Sequence, residues 1–443
     1  MPPRTPLTSA LLRQAAHQIP KPRTRTRCLH SLPHRPNPTL RPPQCLRQPP
    51  AHCRRAGTFA GNARALFRRQ PITVTLACVA ILIGTAALGY SNYLYQSYIV
   101  AAFHNFPEPV AKKLRRALYY TNADLQPQEA IKYYKQALQI AEEMGMDPFS
   151  DEIMGVKIQV AKLAEDCKQL GKAIQVLEIL RRDSLEWLRR FGELEHNRQK
   201  RTRVLAKCVG ISVKLGELYG SAEIYNRDTA EERLVWAVET VLKERLRRDN
   251  LQAASHLSDE QMLEQEGPWM TDSHIGATLE HLAGNYEGRG QHYLATPLFL
   301  QALALQPARD CHTVILMNNL AASLAQQSPR AAAAAQAYAS SRNIDTHAPA
   351  PTVTRESMIA SAQTWAHKAL DVAAAIRPPE RDEECDLGCA VATHNLGEFA
   401  EMLGLKEEAR RRYGEAVSLA RAIGYQEGLE NSSARLRELG SGD

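Results

Sequence analysis

A pattern of small and large apolar residues recurs in the C-terminal half of the chain, with a period of about 34 residues. Its clearest copy consists of Leu279, Leu282, Ala283, Tyr286, Gly290, Ala295, Phe299, Ala302, Leu303 and Pro307. A second clean copy consists of Leu396, Gly397, Ala400, Gly404, Ala409, Tyr413 and Ala416. A unit of this length cannot bury its apolar face alone, so neighbouring units must stack against each other.

These spacings match the tetratricopeptide signature, in which each unit is a helix–turn–helix. The small residues let the two helices of a unit approach closely, and the large residues fill the gaps between units. The sequence therefore predicts an all-α fold. Its body is a tetratricopeptide-repeat (TPR) α-solenoid of about six helix pairs, in residues 109–440.

The weaker copies of the pattern complete the predicted array. The predicted pairs are 110–120 with 128–144, 150–170 with 172–190, a third around 215–237, the two clean copies, and a pair between them that starts at Met317. For the second helix of that pair, the Ala331–Ala335 run keeps the standard spacing, whereas Arg355–Ile376 has the better apolar face. We interpret 327–354 as a low-complexity insertion, and the charged stretch 426–439 as a cap.

The charge of the chain is divided unevenly. The first 69 residues hold 14 of the 55 basic residues, and the first acidic residue is Glu108. The remainder has 41 basic and 48 acidic residues, so the body is mildly acidic, which argues against nucleic acid as its ligand. Residues 1–70 have the Arg-rich, acid-free composition of a mitochondrial targeting sequence. A generic disordered basic tail is the alternative interpretation of the same segment.

An apolar stretch follows at residues 71–95, and 96–108 is a linker to the repeats. No Asp, Glu, Lys or Arg occurs from Gln70 to Pro107, which gives a run long enough to span a bilayer. Basic residues precede this run, and the tyrosines at 90, 93, 95 and 98 crowd its other end, as in an interfacial aromatic belt. The sequence predicts one transmembrane helix.

The basic arm favours the mitochondrial inner membrane, with the N-terminus in the matrix and the repeats in the intermembrane space. The outer membrane, with the repeats in the cytosol, is the alternative. The sequence by itself leaves that alternative open.

The first helix of each pair is expected to line a groove that binds extended peptides. The candidate groove residues, taken from positions beside the central Leu-Gly pair, are Glu280, His281, Asn318, Asn319, His394, Asn395 and Glu398. Asn amides can donate and accept hydrogen bonds, so a ladder of them can hold a peptide backbone. Alternatively, Asn318, Asn319 and Asn395 hydrogen-bond neighbouring helices. The groove lacks the Lys and Arg clamp that captures chaperone C-termini, so that specific function is not expected.

No catalytic, cofactor-binding or metal-binding motif is found in the sequence, so we expect neither an enzyme nor a cofactor. The nine cysteines have no spacing typical of a zinc site or a disulfide framework. A bridge between Cys311 and the pair Cys385 and Cys389 is geometrically conceivable, because they would start adjacent first helices. We expect free thiols in preference to that bridge.

The order of basic arm, membrane helix and repeats resembles the fungal adaptor subunit of the mitochondrial inner-membrane i-AAA protease. The segment Pro109–Tyr120 running into Ala130–Leu138, and Cys385–Cys389 leading into His394–Gly397, support the resemblance over roughly residues 60–440.

The resemblance implies a non-enzymatic adaptor for protein quality control. Its partners would be the i-AAA protease, an ATP-dependent metalloprotease, together with the other adaptor subunits and unfolded protein substrates. Membrane lipid would surround the apolar helix. The alternative on the same scaffold is a membrane-anchored import receptor or a respiratory-complex assembly factor.

Overall fold

A computed structural model describes residues 67–100, 103–306, 310–334 and 354–440, and all regular structure in these ranges is helical. The predicted targeting segment lies outside them up to residue 66, as does most of the low-complexity insertion. The chain divides into two compact units, one ending at Met146 and the other beginning at Asp147.

The first unit contains the long apolar helix. Helix α1 spans Pro71–Leu94 and continues as a π-helical turn over Tyr95–Val100. The apolar stretch Pro71–Tyr98 is long and apolar enough to cross a membrane, and none of the α1 side chains is buried in the protein. The hydroxyl groups of Thr75 and Thr85 donate to backbone carbonyls within the helix, so neither hydroxyl is an unsatisfied donor on the helix surface.

The same unit contains a helical hairpin, formed by α2 (Glu108–Asn122) and α3 (Pro127–Glu143). Each helix buries one stripe of apolar residues, which consists of Val110, Ala111, Leu114 and Ala117 on α2 and Ala130, Tyr134, Ala137 and Ala141 on α3. The small alanines allow the two helices to lie close together.

The second unit is a stack of helix pairs. In chain order its helices are α4 (Asp151–Asp166), α5 (Leu170–Phe191), α6 (Arg198–Gly220), α7 (Arg227–Ser255), α8 (Asp259–Glu266), α9 (Asp272–Gly288), α10 (His292–Ala304), α11 (Cys311–Gln326), α12 (Arg355–Ala375), α13 (Glu383–Met402), α14 (Lys406–Ile423) and α15 (Gln426–Gly440). Helices α4 to α7 and α9 to α14 pair consecutively, and α15 packs on the last pair. The all-α solenoid and the preceding apolar helix agree with the sequence prediction.

Close helix crossings explain the small residues of the repeat. A Cβ atom added at Gly397 of α13 would lie 2.8 Å from Cδ1 of Tyr413 in α14. At the equivalent crossing of α6 and α7, a Cβ on Gly216 would collide with the side chain of Leu234. The helices of a pair can therefore approach this closely only because glycine occupies these positions.

The insertion separates the helices of the α11–α12 pair in sequence. Residues 329–334 are helical as well. Ala321 and Ala325 of α11 share one apolar cluster with Ile359, Ala362 and Ala366 of α12. The partner helix of α11 is therefore α12, which has the better apolar face of the two candidates.

Helices α7 and α8 extend beyond the repeat. Helix α7 is 29 residues long, and the short α8 follows it, whereas the sequence pattern predicted a helix pair only around residues 215–237. Glu244 of α7 is 3% exposed and forms ion pairs with Arg201, Arg247 and Arg248, and Arg247 also pairs with Glu266 of α8. A buried charge network of this kind has no counterpart in the apolar repeat, so the repeat pattern could not predict it.

The expectation that the cysteines remain free thiols is wrong at two positions. Cys311, the first residue of α11, and Cys385, near the start of α13, form a disulfide with an S–S distance of 2.04 Å. The free cysteines of the described residues are Cys78, Cys167, Cys208 and Cys389. The two first helices start side by side, and their Cα atoms at these positions are 4.6 Å apart.

Candidate protein-binding face

The first helices of successive pairs are connected by polar side chains. Lys214 of α6 pairs with Glu165 of α4 at 2.9 Å and with Glu217 of α6 at 3.0 Å. Nδ1 of His281 in α9 lies 3.3 Å from Oε1 of Glu217. We call the accessible polar side chains of α4, α6, α9, α11 and α13 the first-helix face.

A cavity of about 200 Å³ opens where α6 meets α9 on this face. It is lined by Gly216, Glu217, Gly220, Leu234, His281 and Asn285. The amide oxygen of Asn285 is buried and has no hydrogen-bond partner in the protein. A buried acceptor without a partner is energetically unfavourable, and the burial of this oxygen keeps it out of reach of a bound peptide, so the accessible polar groups of the cavity are those of Glu217 and His281.

His312, which the sequence analysis did not identify, joins three first helices. Its Nε2 lies 2.9 Å from Oε2 of Glu280 in α9, and its Nδ1 lies 3.7 Å from Oε2 of Glu384 in α13. The hydrogen bond to Glu280 raises the pKa of His312 despite partial burial, and the charge of Glu384 adds to the rise. One sequence signal could have identified His312. It precedes the candidate Asn319 by seven residues, and residues at this spacing lie on the same face of a helix.

The candidate groove residues differ in accessibility. His281 is exposed, and Glu280, Asn319, His394 and Glu398 are half-buried. Asn318 is 1% exposed, and its Nδ2 donates to the backbone carbonyl of Gly388 at 2.8 Å. The side chain of Asn318 therefore holds α11 against α13, which is a contact between neighbouring helices and not a groove contact. Asn395 is 7% exposed.

At the C-terminal end, α15 packs beside the candidate residues of α13. Nδ1 of His394 lies 2.8 Å from Oγ of Ser432, and its Nε2 lies 3.6 Å from Oε1 of Glu398. Arg435 of α15 pairs with Glu401 at 2.8 Å. His394 also lines a cavity of about 170 Å³ between α13, α14 and α15. These contacts place His394 at the edge of the cap, so it is less accessible than His281.

Glu287 of α9 is a further carboxyl group that the sequence did not single out. It is half-buried, and burial raises its pKa to about 7. No ion pair to Glu287 is found among the described residues. A carboxyl group with this pKa changes charge near neutral pH.

The one group of potential metal ligands among the described residues is Cys311, Asp382 and Cys385. Both sulfur atoms are used by the disulfide, and the Asp382 carboxylate accepts hydrogen bonds from the backbone N–H groups of Glu384 and Cys385. In this oxidised form the cluster offers no thiolate to a metal ion.

The stacked helix pairs, with glycine or alanine at their crossings, define a TPR-like helical-repeat protein, a class that binds other proteins. The chain is similar to a TPR repeat-containing protein of Schizosaccharomyces pombe. The two are 28% identical over 369 residues, which cover 82% of this chain and 85% of the relative. No protein-family profile matches the chain.

Solved structures with some likeness to the chain are also built of helical repeats. BtubC (BKLC) from P. vanneervenii is 16% identical with a TM-score of 0.41, covering 67% of this chain and 92% of that one. A putative kinesin light chain from Podosopora anserina, with nearly identical TPR-like repeats, is 15% identical with a TM-score of 0.34, covering 61% and 94%. These TM-scores are too low to support a fold assignment by similarity. The assignment to a TPR-like solenoid is therefore based on the helix pairs of this chain.

Proposed function

We propose that this protein is a substrate-recruiting adaptor of the mitochondrial inner-membrane i-AAA protease. The observation that carries the proposal is one apolar helix of membrane-spanning length preceding a TPR-like array in the same chain. The array would bind unfolded or unassembled membrane proteins, and the helix would keep it beside the membrane-bound protease. The fungal TPR relative is compatible with this function, and the assignment to the i-AAA complex comes from the sequence resemblance.

The adaptor would act by proximity. A client held on the first-helix face stays at a high local concentration near the protease, so its degradation accelerates without new chemistry in the adaptor. His281 and Glu217, which are both exposed, are the side chains we assign to client contact. Peptide-bond hydrolysis and ATP hydrolysis belong to the partner in this proposal.

The disulfide supports the proposed compartment. Disulfides persist in oxidising environments and are rare where thiols are kept reduced. A bond between Cys311 and Cys385 is therefore compatible with the second unit lying in the intermembrane space and less so with the cytosol. This observation favours the inner membrane over the outer membrane, with the N-terminus in the matrix.

The first test is affinity purification of the full-length protein from gently solubilised mitochondria, followed by mass spectrometry. We expect the i-AAA protease to co-purify, and to be lost when residues 71–95 are replaced by an unrelated membrane anchor. Recovery of import translocase subunits or of a single respiratory complex, without the protease, would contradict the proposal and favour the receptor or assembly-factor alternative.

A second test separates client binding from protease docking. The double variant Glu217→Ala/His281→Ala should retain the protease but recover fewer client proteins. The matched control is Glu239→Ala/Lys243→Ala, an exposed ion pair on α7 outside the first-helix face. Equal client recovery from both variants would show that the first-helix face is not the client site.

A further inference from the structure

Three cations surround one aromatic ring in the α2–α3 hairpin. Lys113 Nζ, Arg116 Cζ and Lys132 Nζ lie 6.0, 5.7 and 5.5 Å from the ring centroid of Tyr133. Tyr120 stacks on the same ring, with centroids 5.6 Å apart and an interplanar angle of 5°. We call these five residues, together with the neighbouring Lys112, the basic hairpin face.

The positive charge of this face is only partly compensated within the protein. Helix α2 contains four basic residues and one acidic residue, Glu108, which pairs with Arg115. Glu129 pairs with Lys132 at 2.9 Å, and Lys113 donates to the side-chain oxygen of Gln136 at 2.8 Å.

Two cations of the face remain without an anionic partner. Arg116 and Lys112 are exposed, and neither has an ion pair or a side-chain hydrogen bond within the described ranges. The Tyr133 ring offsets part of the repulsion through cation–π contact, but it supplies no counter-charge. The face therefore has two cations free to bind an external anion.

The hairpin follows the apolar helix closely in the chain. The apolar span ends at Tyr98 and α2 begins at Glu108, so at most ten peptide steps separate them. A fully extended chain of this length reaches about 35 Å, so the hairpin cannot leave the vicinity of a membrane that α1 spans. Tyr93, Tyr95 and Tyr98 are exposed at the same end of the span, where aromatic side chains lie at the lipid–water interface.

We propose that the basic hairpin face binds the head groups of anionic phospholipids. The cations of Lys112 and Arg116 would pair with phosphodiester oxygens, and the tyrosine pair would lie at the level of the head groups. Binding would hold the hairpin against the bilayer. The proposal requires that α1 spans a bilayer, but it does not depend on the adaptor function.

Hydrogen exchange of the full-length protein in phosphatidylcholine nanodiscs, with and without a minor fraction of phosphatidylglycerol, tests the proposal. We expect slower amide exchange in residues 108–143 with the anionic lipid, and no change in residues 151–440. The double variant Lys112→Gln/Arg116→Gln should lose this difference. The control Lys162→Gln/Lys172→Gln, which removes two exposed cations from the second unit, should keep it.

Three outcomes would overturn the proposal. Equal exchange of the hairpin in both lipid compositions would show that the face does not bind anionic lipid. A difference that persists in the Lys112→Gln/Arg116→Gln variant would assign it to another part of the chain. Equal slowing by inorganic phosphate added to neutral nanodiscs would show that the face binds free phosphate and not the bilayer. Exchange of residues 108–143 in phosphatidylcholine nanodiscs that matches the wild type checks that the Lys112→Gln/Arg116→Gln hairpin is folded, and unchanged exchange in 151–440 does the same for the control variant.

Discussion

Nε2 of His312 lies 2.9 Å from Oε2 of Glu280, and this contact connects the first helices of two adjacent repeats on the first-helix face. Glu384 approaches the other ring nitrogen from a third first helix. A protonated imidazole between two carboxylates stabilises the stack. Its Nε2–H donates a hydrogen bond to Glu280, and its positive charge is attracted to both Glu280 and Glu384. The charge of this side chain therefore contributes to the packing of three repeats, beside their shared apolar clusters.

The stability of the protein should consequently depend on pH through His312. Its pKa is raised in the folded state, so its contribution is complete below the ordinary value of 6.5 and is lost as pH rises through the raised value. We expect the melting temperature of the wild type to fall across this interval. The variant His312→Gln should show a smaller fall. The control His367→Gln, at an exposed position of α12, should match the wild type.

Glu287 should also make the protein less stable as pH rises, in the same direction as His312. Its carboxylate form, which dominates at higher pH, is disfavoured by burial. Its pKa is raised to about 7, so the folded state is disfavoured as pH rises from the ordinary value of 4.5 toward 7. The variant Glu287→Gln should be more stable than the wild type at pH 8, by no more than about 3 kcal/mol, and similar to it at pH 4. Urea unfolding at the two pH values measures this, and equal stability at pH 8 would contradict it.

Removal of the disulfide should destabilise the α11–α13 region. The bond closes a loop between residues 74 apart in sequence, and loss of a cross-link of this kind costs about 2–4 kcal/mol. We expect Cys311→Ser/Cys385→Ser to melt at a lower temperature than the wild type. Reductant should lower the melting temperature of the wild type but not of this variant. The control Cys389→Ser should behave like the wild type, because Cys389 is a free thiol.

Two glycines in the last repeat should respond oppositely to the same substitution. A Cβ at Gly397 would lie 2.8 Å from the Tyr413 ring, so Gly397→Ala should cost about 1–3 kcal/mol through overpacking. A Cβ at Gly414 meets nothing within 4 Å, so Gly414→Ala should be neutral or should stabilise the helix by up to about 1 kcal/mol. Chemical denaturation of both variants checks the difference, and equal effects would show that the crossing has room for a methyl group.

The buried charges of α7 should be sensitive to loss of one partner. Burial acts to raise the pKa of Glu244, but the hydrogen bond from Arg247 and the charge of Arg201 bring it below the ordinary value. Glu244→Ala would leave these guanidinium groups without their shared carboxylate, at a cost of about 3–5 kcal/mol. The exposed Glu239→Ala, on the same helix, should cost less than about 1 kcal/mol. Thermal unfolding of the two variants tests this comparison.

The amino-acid sequence by itself determined the helix pairs and the apolar helix. Residues such as Ala295, Phe299 and Ala302 recur at helical spacing, and spacing of this kind requires no knowledge of distant contacts. The absence of charge from Gln70 to Pro107 likewise identifies a membrane-spanning length without any tertiary information. The groove residues were placed by the repeat alone, and only some of them are accessible.

Tertiary structure decided which side chains meet across helices. Asn318 turns its amide to Gly388, His312 joins Glu280 to Glu384, and Cys311 bonds to Cys385. Each contact joins residues that are 32 to 74 positions apart in the sequence. A periodic pattern specifies which face of a helix is buried, because apolar residues at helical spacing mark that face whatever their contact partners are. Contacts between particular polar atoms depend on the stagger and rotation of neighbouring helices, which only the packed structure fixes.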